Sequence, residues 1–187
     1  MQVIETLLRS KLTHVSLPTL KKILDFNLKT KAIVVNRDPD ESGYRRVLNF
    51  GHTIGHLLEE LSYEKHIQNE NIPHGICVIY GMKFLFDSQI MKLQSSDEKL
   101  FYSLLSQILK LWNKQQRLSF KGSSQNFYRL CSLKLLNDKK SFIYEKDLIT
   151  LATPEFGVLK KKDYFENSLT KIYLIDLIKI LYKKVFT

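Results

Sequence analysis

Hydrophobic residues recur three and four positions apart along the first part of the chain, which is the spacing of one face of an α-helix. This pattern predicts a first amphipathic helix over residues 3–12. A second helix is predicted to begin at Pro18, since proline is favoured in a first helical turn, and to bury Leu20, Ile23, Leu24, Leu28, Ile33 and Val34. The polar segment 36–44 ends this helix, because Pro39 and Gly43 interrupt the pattern.

The centre of the chain continues the helical pattern. We expect Asn49 near the start of a helix that carries His52 and His56. The segment 74–93 is predicted to form another helix, and its first two turns are apolar on nearly every side. Such a pattern is typical of a helix buried in a protein core.

Two further helices are predicted after this buried one. Ser95 and Glu98 have the spacing of a capping box ahead of a helix that runs through Trp112. Residues 123–136 are expected to form the other helix. Gly51 and Gly55 form a G-x-x-x-G pattern, which indicates that another helix or a ligand approaches closely at that point.

The segment 142–162 departs from the helical pattern. It carries β-branched residues on either side of "TPEFG", which predicts a β-hairpin, and a final helix is expected from about Asp163. The fold class predicted from these elements is mainly α: a multi-helical domain with one small β-hairpin. At 187 residues, the whole chain 1–187 is expected to form a single domain.

The net charge and the cysteines restrict the classes of partner and the compartment. A formal charge of +10 suits anionic partners, which include nucleic acid, an acidic membrane surface and a phosphorylated metabolite. The lysines of 159–162 and 182–184 do not alternate with aromatic residues, so a solvated face is the simpler interpretation and no nucleic-acid contact is expected. No apolar run reaches the roughly 18 residues of a membrane helix. Cys77 and Cys131 form no C-x-x-C pair, which favours buried free thiols in the cytoplasm.

The candidate chemistry lies in three histidines. His52 and His56 are four residues apart, so a helix places both imidazoles on the same face. His74 follows Pro73 at a helix start, where the helix dipole disfavours imidazolium and favours the neutral form that binds metal. With Arg45, Arg46 and Asn49 nearby, the pattern predicts a divalent metal beside an anion-binding group. No G-x-G-x-x-G or P-loop is present, so no nucleotide site is expected within this sequence.

These residues resemble the C-terminal half of 3-dehydroquinate synthase. The resemblance rests on "KAIVVNRDPDESGYRRVLNFGHTIGH" (31–56), on "HG" at 74–75 and on "DKK" at 138–140. It implies the helical fold of that domain and an NAD-dependent enzyme of the shikimate pathway. That enzyme converts 3-deoxy-arabino-heptulosonate 7-phosphate into 3-dehydroquinate with loss of phosphate, in a site that combines oxidation, elimination, reduction and ring closure.

The resemblance also implies roles for individual residues. His52 and His74 match the family's zinc ligands, where cobalt or another divalent metal is the alternative ion. His56 matches a histidine that faces the substrate near its phosphate. The residues that match substrate-binding groups are Arg45 and Asn49 for the carboxylate and hydroxyls, Lys31, and either Lys139 or Lys140 for the phosphate.

The sequence departs from the family pattern in ways that set further expectations. The Gly-rich NAD-binding domain and the E-x-x-K motif with the third zinc ligand do not match any part of it, and Ile76 follows H-G in place of an acidic residue. We expect a separately encoded or truncated C-terminal domain that is inactive alone. Its expected partners are the anionic sugar-phosphate substrate, an N-terminal NAD-binding half on a separate chain, or further copies of itself.

Three alternatives to this function stay open. Another sugar-phosphate cyclase shares the metal and NAD chemistry but closes a different ring. A catalytically silent domain for oligomerisation or anion binding would explain the missing zinc ligand. A basic helical nucleic-acid binder has only the net charge in its favour.

Overall fold

The structure, a computed structural model, describes residues 15–68, 72–115, 118–137, 148–152 and 166–186. Most of these residues lie in helices. The helices are α1 Leu17–Arg37, a 3₁₀ helix Tyr44–Asn49, α2 His52–Tyr63, α3 His74–Asp87, α4 Ser96–Gln115, α5 Ser124–Asn137 and α6 Lys171–Phe186. Two strands, β1 Leu148–Ala152 and β2 Glu166–Thr170, pair antiparallel. The mainly α prediction is confirmed, whereas the helix predicted over residues 3–12 lies outside the described residues.

The hairpin predicted over 142–162 is not confirmed. Strand β1 falls within that range, but its partner β2 lies beyond it, with Ala152 opposite Glu166. The final helix, expected from about Asp163, begins at Lys171 instead. The sequence of β2, "ENSLT", has little apolar alternation, so its own pattern does not mark it as a strand. The expected turn "TPEFG" lies outside the described residues.

Helices α2 and α3 pack with their backbones in near contact, and three glycines make this approach possible. A Cβ on Gly81 of α3 would overlap the carbonyl oxygen of Gly51. A Cβ on Gly55 would lie 3.0 Å from the Cα of Val78. Gly51 also adopts a left-handed φ of 76°, which glycine tolerates without strain. The G-x-x-x-G pattern therefore marks the close approach of a second helix, as expected.

Helix α3 lies at the centre of the core, as its sequence predicts. It contacts α2, α4 and α6. Its buried side chains include Cys77, Tyr80 and Phe84, and burial raises the pKa of the Cys77 thiol to about 12. Both cysteines are free and buried, as expected. The largest fully buried side chains of the core are Leu58, Leu61, Ile67, Leu85, Leu118, Phe127, Leu135, Ile178 and Leu181.

The capping box ahead of α4 is confirmed by its reciprocal hydrogen bonds. The backbone N–H of Glu98 donates to Ser95 Oγ over 3.2 Å, and the backbone N–H of Ser95 donates to Glu98 Oε2 over 2.7 Å. The start of α3 at His74 is confirmed as well, although this helix ends at Asp87 rather than at residue 93. None of the helices in the described part is both long enough and apolar enough to span a lipid bilayer.

Helix α1 contradicts the predicted burial of its apolar residues. Of the predicted core set only Val34 is buried, and Ile23 is half-buried. The other predicted core residues are exposed, at 42% for Leu20, 52% for Leu24, 67% for Leu28 and 55% for Ile33. The reason is that α1 packs mainly against the 3₁₀ helix, close to its own C-terminal end. The amphipathic pattern of α1 therefore predicts an apolar face, but it does not show whether other residues of the chain pack against that face.

Candidate metal centre

Three histidines converge where α2 and α3 begin. His52 and His56 lie on the first two turns of α2, and His74 is the first residue of α3. Their ring centroids are 5.5 Å apart for His52 and His56, 5.5 Å for His52 and His74, and 5.6 Å for His56 and His74. Nitrogen–zinc bonds of about 2.0–2.1 Å place the rings of two histidines on one ion roughly 5 Å apart. The spacing of the rings therefore fits a shared metal ion.

Two of the three rings have a hydrogen-bonding partner on Nδ1. The Nδ1 of His52 lies 3.2 Å from the carbonyl oxygen of Phe50, and the Nδ1 of His74 lies 3.0 Å from Glu59 Oε2. Both partners are acceptors, so each favours the tautomer with the proton on Nδ1. The lone pair is then on Nε2, which is the arrangement of a metal-ligating histidine with an outer acceptor.

Glu59 belongs to this candidate centre, although its position in the sequence was not predicted to be a site residue. The ligand atoms of His56, Glu59 and His74 all lie within 4.8 Å of one another. This group contains only one member, His74, of the predicted ligand pair His52 and His74. The signal for Glu59 is present in the sequence, because it follows His52 by seven positions and His56 by three and so shares their helix face.

A second group of side chains surrounds the predicted substrate residues Arg45 and Asn49. Asn49 is buried, and its Nδ2 donates to Glu41 Oε1 over 2.8 Å. The Nε of Arg45 lies 3.9 Å from Glu41 Oε2, and its Nη1 donates to the carbonyl oxygen of Pro39. Glu41 has a φ of 53°, an unfavourable conformation for a residue with a Cβ. Glu41 lies within the segment 31–56 that was singled out from the sequence, but no role was predicted for it.

Asp38 holds this loop in place. Its buried carboxylate accepts hydrogen bonds from the backbone N–H groups of Ser42, Gly43 and Arg45, at 2.8–2.9 Å, and from Ser42 Oγ at 2.9 Å. These bonds, led by the one from Arg45, lower the pKa of Asp38 far below its usual value despite the opposing effect of burial. The carboxylate thus fixes the backbone that presents Glu41 and Arg45.

Lys31 is the predicted substrate lysine that lies within the described residues, and it belongs to neither the histidine cluster nor the group around Arg45. Lys31 is exposed on α1, and no described contact joins it to the histidines. Lys139 and Lys140 lie outside the described residues. The segment before them, however, reaches the centre, because Leu133, Lys134 and Leu135 of α5 line a cavity of about 250 Å³ together with His56.

A separate cavity of about 470 Å³ contains none of the predicted site residues. It is lined by residues of α3, α4 and α6, among them Tyr80, Lys83, Asp87 and Lys184. The ammonium of Lys83 is already paired with Asp87 at 2.6 Å and hydrogen-bonded to the hydroxyl of Tyr102 at 3.1 Å. The volume of a cavity alone therefore does not locate the predicted chemistry.

Comparison with known proteins shows that the chain is similar to 3-dehydroquinate synthases. The family model "3-dehydroquinate synthase C-terminal" matches residues 1–141. The 3-dehydroquinate synthase of Prochlorococcus marinus (strain MIT 9312) is 30% identical over 165 residues, which cover 86% of this chain and 40% of that protein. The 3-dehydroquinate synthase of Chlamydia felis is 42% identical over 86 residues, which cover 44% of this chain and 21% of that protein.

A multifunctional protein is similar over a shorter segment. The pentafunctional AROM polypeptide of Schizosaccharomyces pombe is 45% identical over 65 residues, which cover 35% of this chain and 4% of the polypeptide. The chain thus spans 40% or less of the length of these three relatives. Among solved structures, none matches the chain.

Proposed function

Because the chain belongs to the 3-dehydroquinate synthase family, we propose that it forms the metal- and substrate-binding half of a site that cyclises 3-deoxy-arabino-heptulosonate 7-phosphate to 3-dehydroquinate. The observation that carries this proposal is the convergence of His52, His56 and His74, whose ring centroids are 5.5–5.6 Å apart. Imidazole nitrogens at this spacing are suitable donors for zinc.

In the proposed site, His52 and His74 hold a zinc or cobalt ion, and His56 faces the substrate. The ion, when bound, polarises the oxygens at the carbon that is oxidised. The division of roles is supported by the Nδ1 contacts of His52 and His74, which leave their Nε2 lone pairs for a metal. His56 also lines the cavity formed with α5, so its side chain borders both the histidine cluster and that cavity.

In the proposed site, Arg45 and Asn49 bind the carboxylate and hydroxyls of the substrate, and Lys31 binds a further anionic or hydroxyl group. Lys139 or Lys140 binds the phosphate. Fixed cations are needed because the substrate carries both a carboxylate and a phosphate. Asp38 and Glu41 support Arg45 and Asn49 in fixed positions, so little reorganisation is needed when the substrate binds.

The proposed reaction begins with hydride transfer to NAD, for which this sequence carries no dinucleotide motif. We assign NAD binding and the third zinc ligand to an N-terminal half on a separate chain. The cytoplasm is the proposed compartment, and the free, buried Cys77 and Cys131 support it.

Zinc titration of the chain and three histidine variants tests the metal site. We expect the chain to bind zinc weakly, because a catalytic site normally has three protein ligands and a water molecule. His52→Ala and His74→Ala are expected to abolish binding, whereas His56→Ala keeps most of it. The measurement is isothermal titration calorimetry on folded protein.

His66→Ala is the matched control, since His66 stacks on Phe120. It is not a predicted zinc ligand, and it is not part of the group formed by His56, Glu59 and His74. The zinc affinity of His66→Ala is expected to equal that of the unchanged chain. Equal losses in the variants of His52, His56 and His74 would contradict the division of roles. A chain that binds no zinc would contradict the metal site itself.

A further inference from the structure

We infer that Glu59 is a positioning residue for the metal centre: its carboxylate accepts the Nδ1 proton of His74 and directs Nε2 of that ring towards the metal. This inference deepens the proposed function and rests on its metal site. It concerns a residue that contacts a ligand of the metal, and not a group that contacts the substrate.

The geometry of the pair supports a hydrogen bond that selects one tautomer. The distance from Glu59 Oε2 to His74 Nδ1 is 3.0 Å, within the range of an N–H···O hydrogen bond. The carboxylate can only accept, so the proton belongs on Nδ1 and the lone pair on Nε2. Because the side chain of His74 is 49% exposed, packing alone does not hold its ring in one orientation.

Glu59 is itself more buried than the ring that it contacts. Its side chain is 19% exposed and projects from the third turn of α2, on the same face as His52 and His56. Carboxylates in such outer positions also raise the basicity of the ligating nitrogen. The close packing of α2 on α3 at Gly55 and Gly81 brings Glu59 beside His74.

The neighbouring Glu60 makes different contacts and provides a matched control. Its Oε2 lies 3.2 Å from the ammonium of Lys134 on α5, which also contacts Glu64. Glu59 and Glu60 are the same residue type at adjacent positions, but only Glu59 contacts a histidine of the centre within the described residues. Replacing each in turn separates the hydrogen bond to His74 from a general loss of negative charge on α2.

The first experiment measures the tautomer of His74 without metal. ¹⁵N NMR of imidazole-labelled chain is recorded at alkaline pH, where free imidazole is neutral. We expect His74 to be protonated on Nδ1 in the unchanged chain and in Glu60→Gln. Glu59→Ala is expected to shift it towards the Nε2-protonated form that predominates in free histidine. An unchanged tautomer in Glu59→Ala would overturn the inference.

The second experiment measures zinc affinity and the cobalt absorption spectrum of the same variants. Glu59→Ala is expected to weaken zinc binding about 10–100-fold. Glu59→Gln should lose less, because its amide oxygen still accepts the Nδ1 proton, and Glu60→Gln should bind as the unchanged chain does. Equal affinity in Glu59→Ala and the unchanged chain would overturn the inference.

The cobalt spectrum separates positioning from direct ligation. If Glu59 only positions His74, the visible bands of Glu59→Gln saturated with cobalt match those of the unchanged chain. Altered bands would place the carboxylate on the metal and overturn the inference. A chain that binds neither ion would refute the proposed function, while the metal-free NMR experiment would still decide whether Glu59 sets the tautomer of His74.

Discussion

At the scale of single residues, Asp38 shows how one buried carboxylate organises the loop that leads to Arg45. It accepts four hydrogen bonds, three of them from backbone N–H groups between residues 42 and 45. The backbone around Glu41 is in an unfavourable left-handed conformation, and it persists because the surrounding bonds determine it. The positions of Arg45 and Asn49 therefore depend on a residue that has no role in the proposed chemistry.

Asp38→Asn is expected to lower the Tm by several degrees Celsius near neutral pH. The pKa of Asp38 is lowered in the folded chain, so its contribution to stability is present above the ordinary aspartate pKa of about 3.9 and is lost as the pH falls through the folded value. The Tm difference from the unchanged chain should therefore shrink below about pH 4. Differential scanning calorimetry across pH measures it.

Asp40→Asn is the control for this measurement, because Asp40 lies in the same loop and is exposed. Its Tm is expected to follow that of the unchanged chain at every pH. A Tm difference for Asp38→Asn that stays constant between pH 7 and the acid range would show that the ionised carboxylate is not what stabilises the loop.

At the scale of elements, the crossing of α2 and α3 assembles the candidate metal centre. Gly81 faces Gly51, and Gly55 faces Val78, so the two backbones meet without intervening side chains. This close crossing brings His74 at the start of α3 beside the face of α2 that carries His52 and Glu59. The glycines therefore bring the candidate ligands together although none of them is a candidate ligand itself.

Gly81→Ala is expected to destabilise the chain by about 3 kcal/mol, because the added Cβ would overlap the Gly51 carbonyl and force the helices apart. For a chain of this size the corresponding fall in Tm is roughly 6–12 °C. Zinc affinity should fall as well, since the separated helices carry the ligands. Thermal unfolding followed by circular dichroism, with zinc titration below the Tm, measures both effects.

The matched substitution is Gly75→Ala in the same helix, where an added Cβ would meet nothing within 4 Å. Its stability is expected to stay the same or to rise by up to about 1 kcal/mol, since alanine favours a helix more than glycine does. Equal stability of Gly75→Ala and Gly81→Ala would show that the close crossing of α2 and α3 is not required.

At the scale of the whole molecule, the similarity to known proteins covers only part of their length. The chain spans 40% or less of the three relatives described above, and it carries no dinucleotide-binding motif. One side of α1, the helix that carries Lys31, exposes leucines that include Leu24 and Leu28. Under the proposed function, catalysis is a property of this chain together with an NAD-binding half.

The chain alone is expected to release no phosphate from 3-deoxy-arabino-heptulosonate 7-phosphate. Mixing it with an N-terminal half that supplies the NAD pocket, the glutamate ligand and the E-x-x-K lysine should restore NAD-dependent release. In the mixture, Arg45→Ala or Lys31→Ala is expected to lower the rate about 100-fold or more, because each leaves a polar group of the substrate unpaired. The measurement is inorganic phosphate over time.

Lys29→Ala is the control, because Lys29 is an exposed lysine two positions from Lys31 on α1. Its rate in the mixture should equal that of the unchanged chain. Activity of this chain alone would contradict the need for a second half. No activity from a pair shown to assemble would favour the catalytically silent domain.

Local patterns were sufficient to predict much of the fold and part of the site. Helix periodicity predicted α3 and its burial, and the pairing of Ser95 with Glu98 predicted the start of α4, because both depend on residues within a few positions. The four-residue spacing of His52 and His56 predicted that they share a helix face for the same reason. The motif resemblance predicted the family, which the match over residues 1–141 confirms.

Contacts between distant segments were decided only by the tertiary structure. An amphipathic pattern shows that α1 has an apolar side, but not that Leu24 and Leu28 stay exposed within this chain. The pairing of β1 with Glu166–Thr170 depends on the partner strand rather than on local alternation. Likewise, Glu59 and Glu60 are identical in type, and only the packing of α2 between α3 and α5 assigns one to His74 and the other to Lys134. Helix periodicity specifies which residues share a face, whereas the partner of each face depends on residues far away in the sequence.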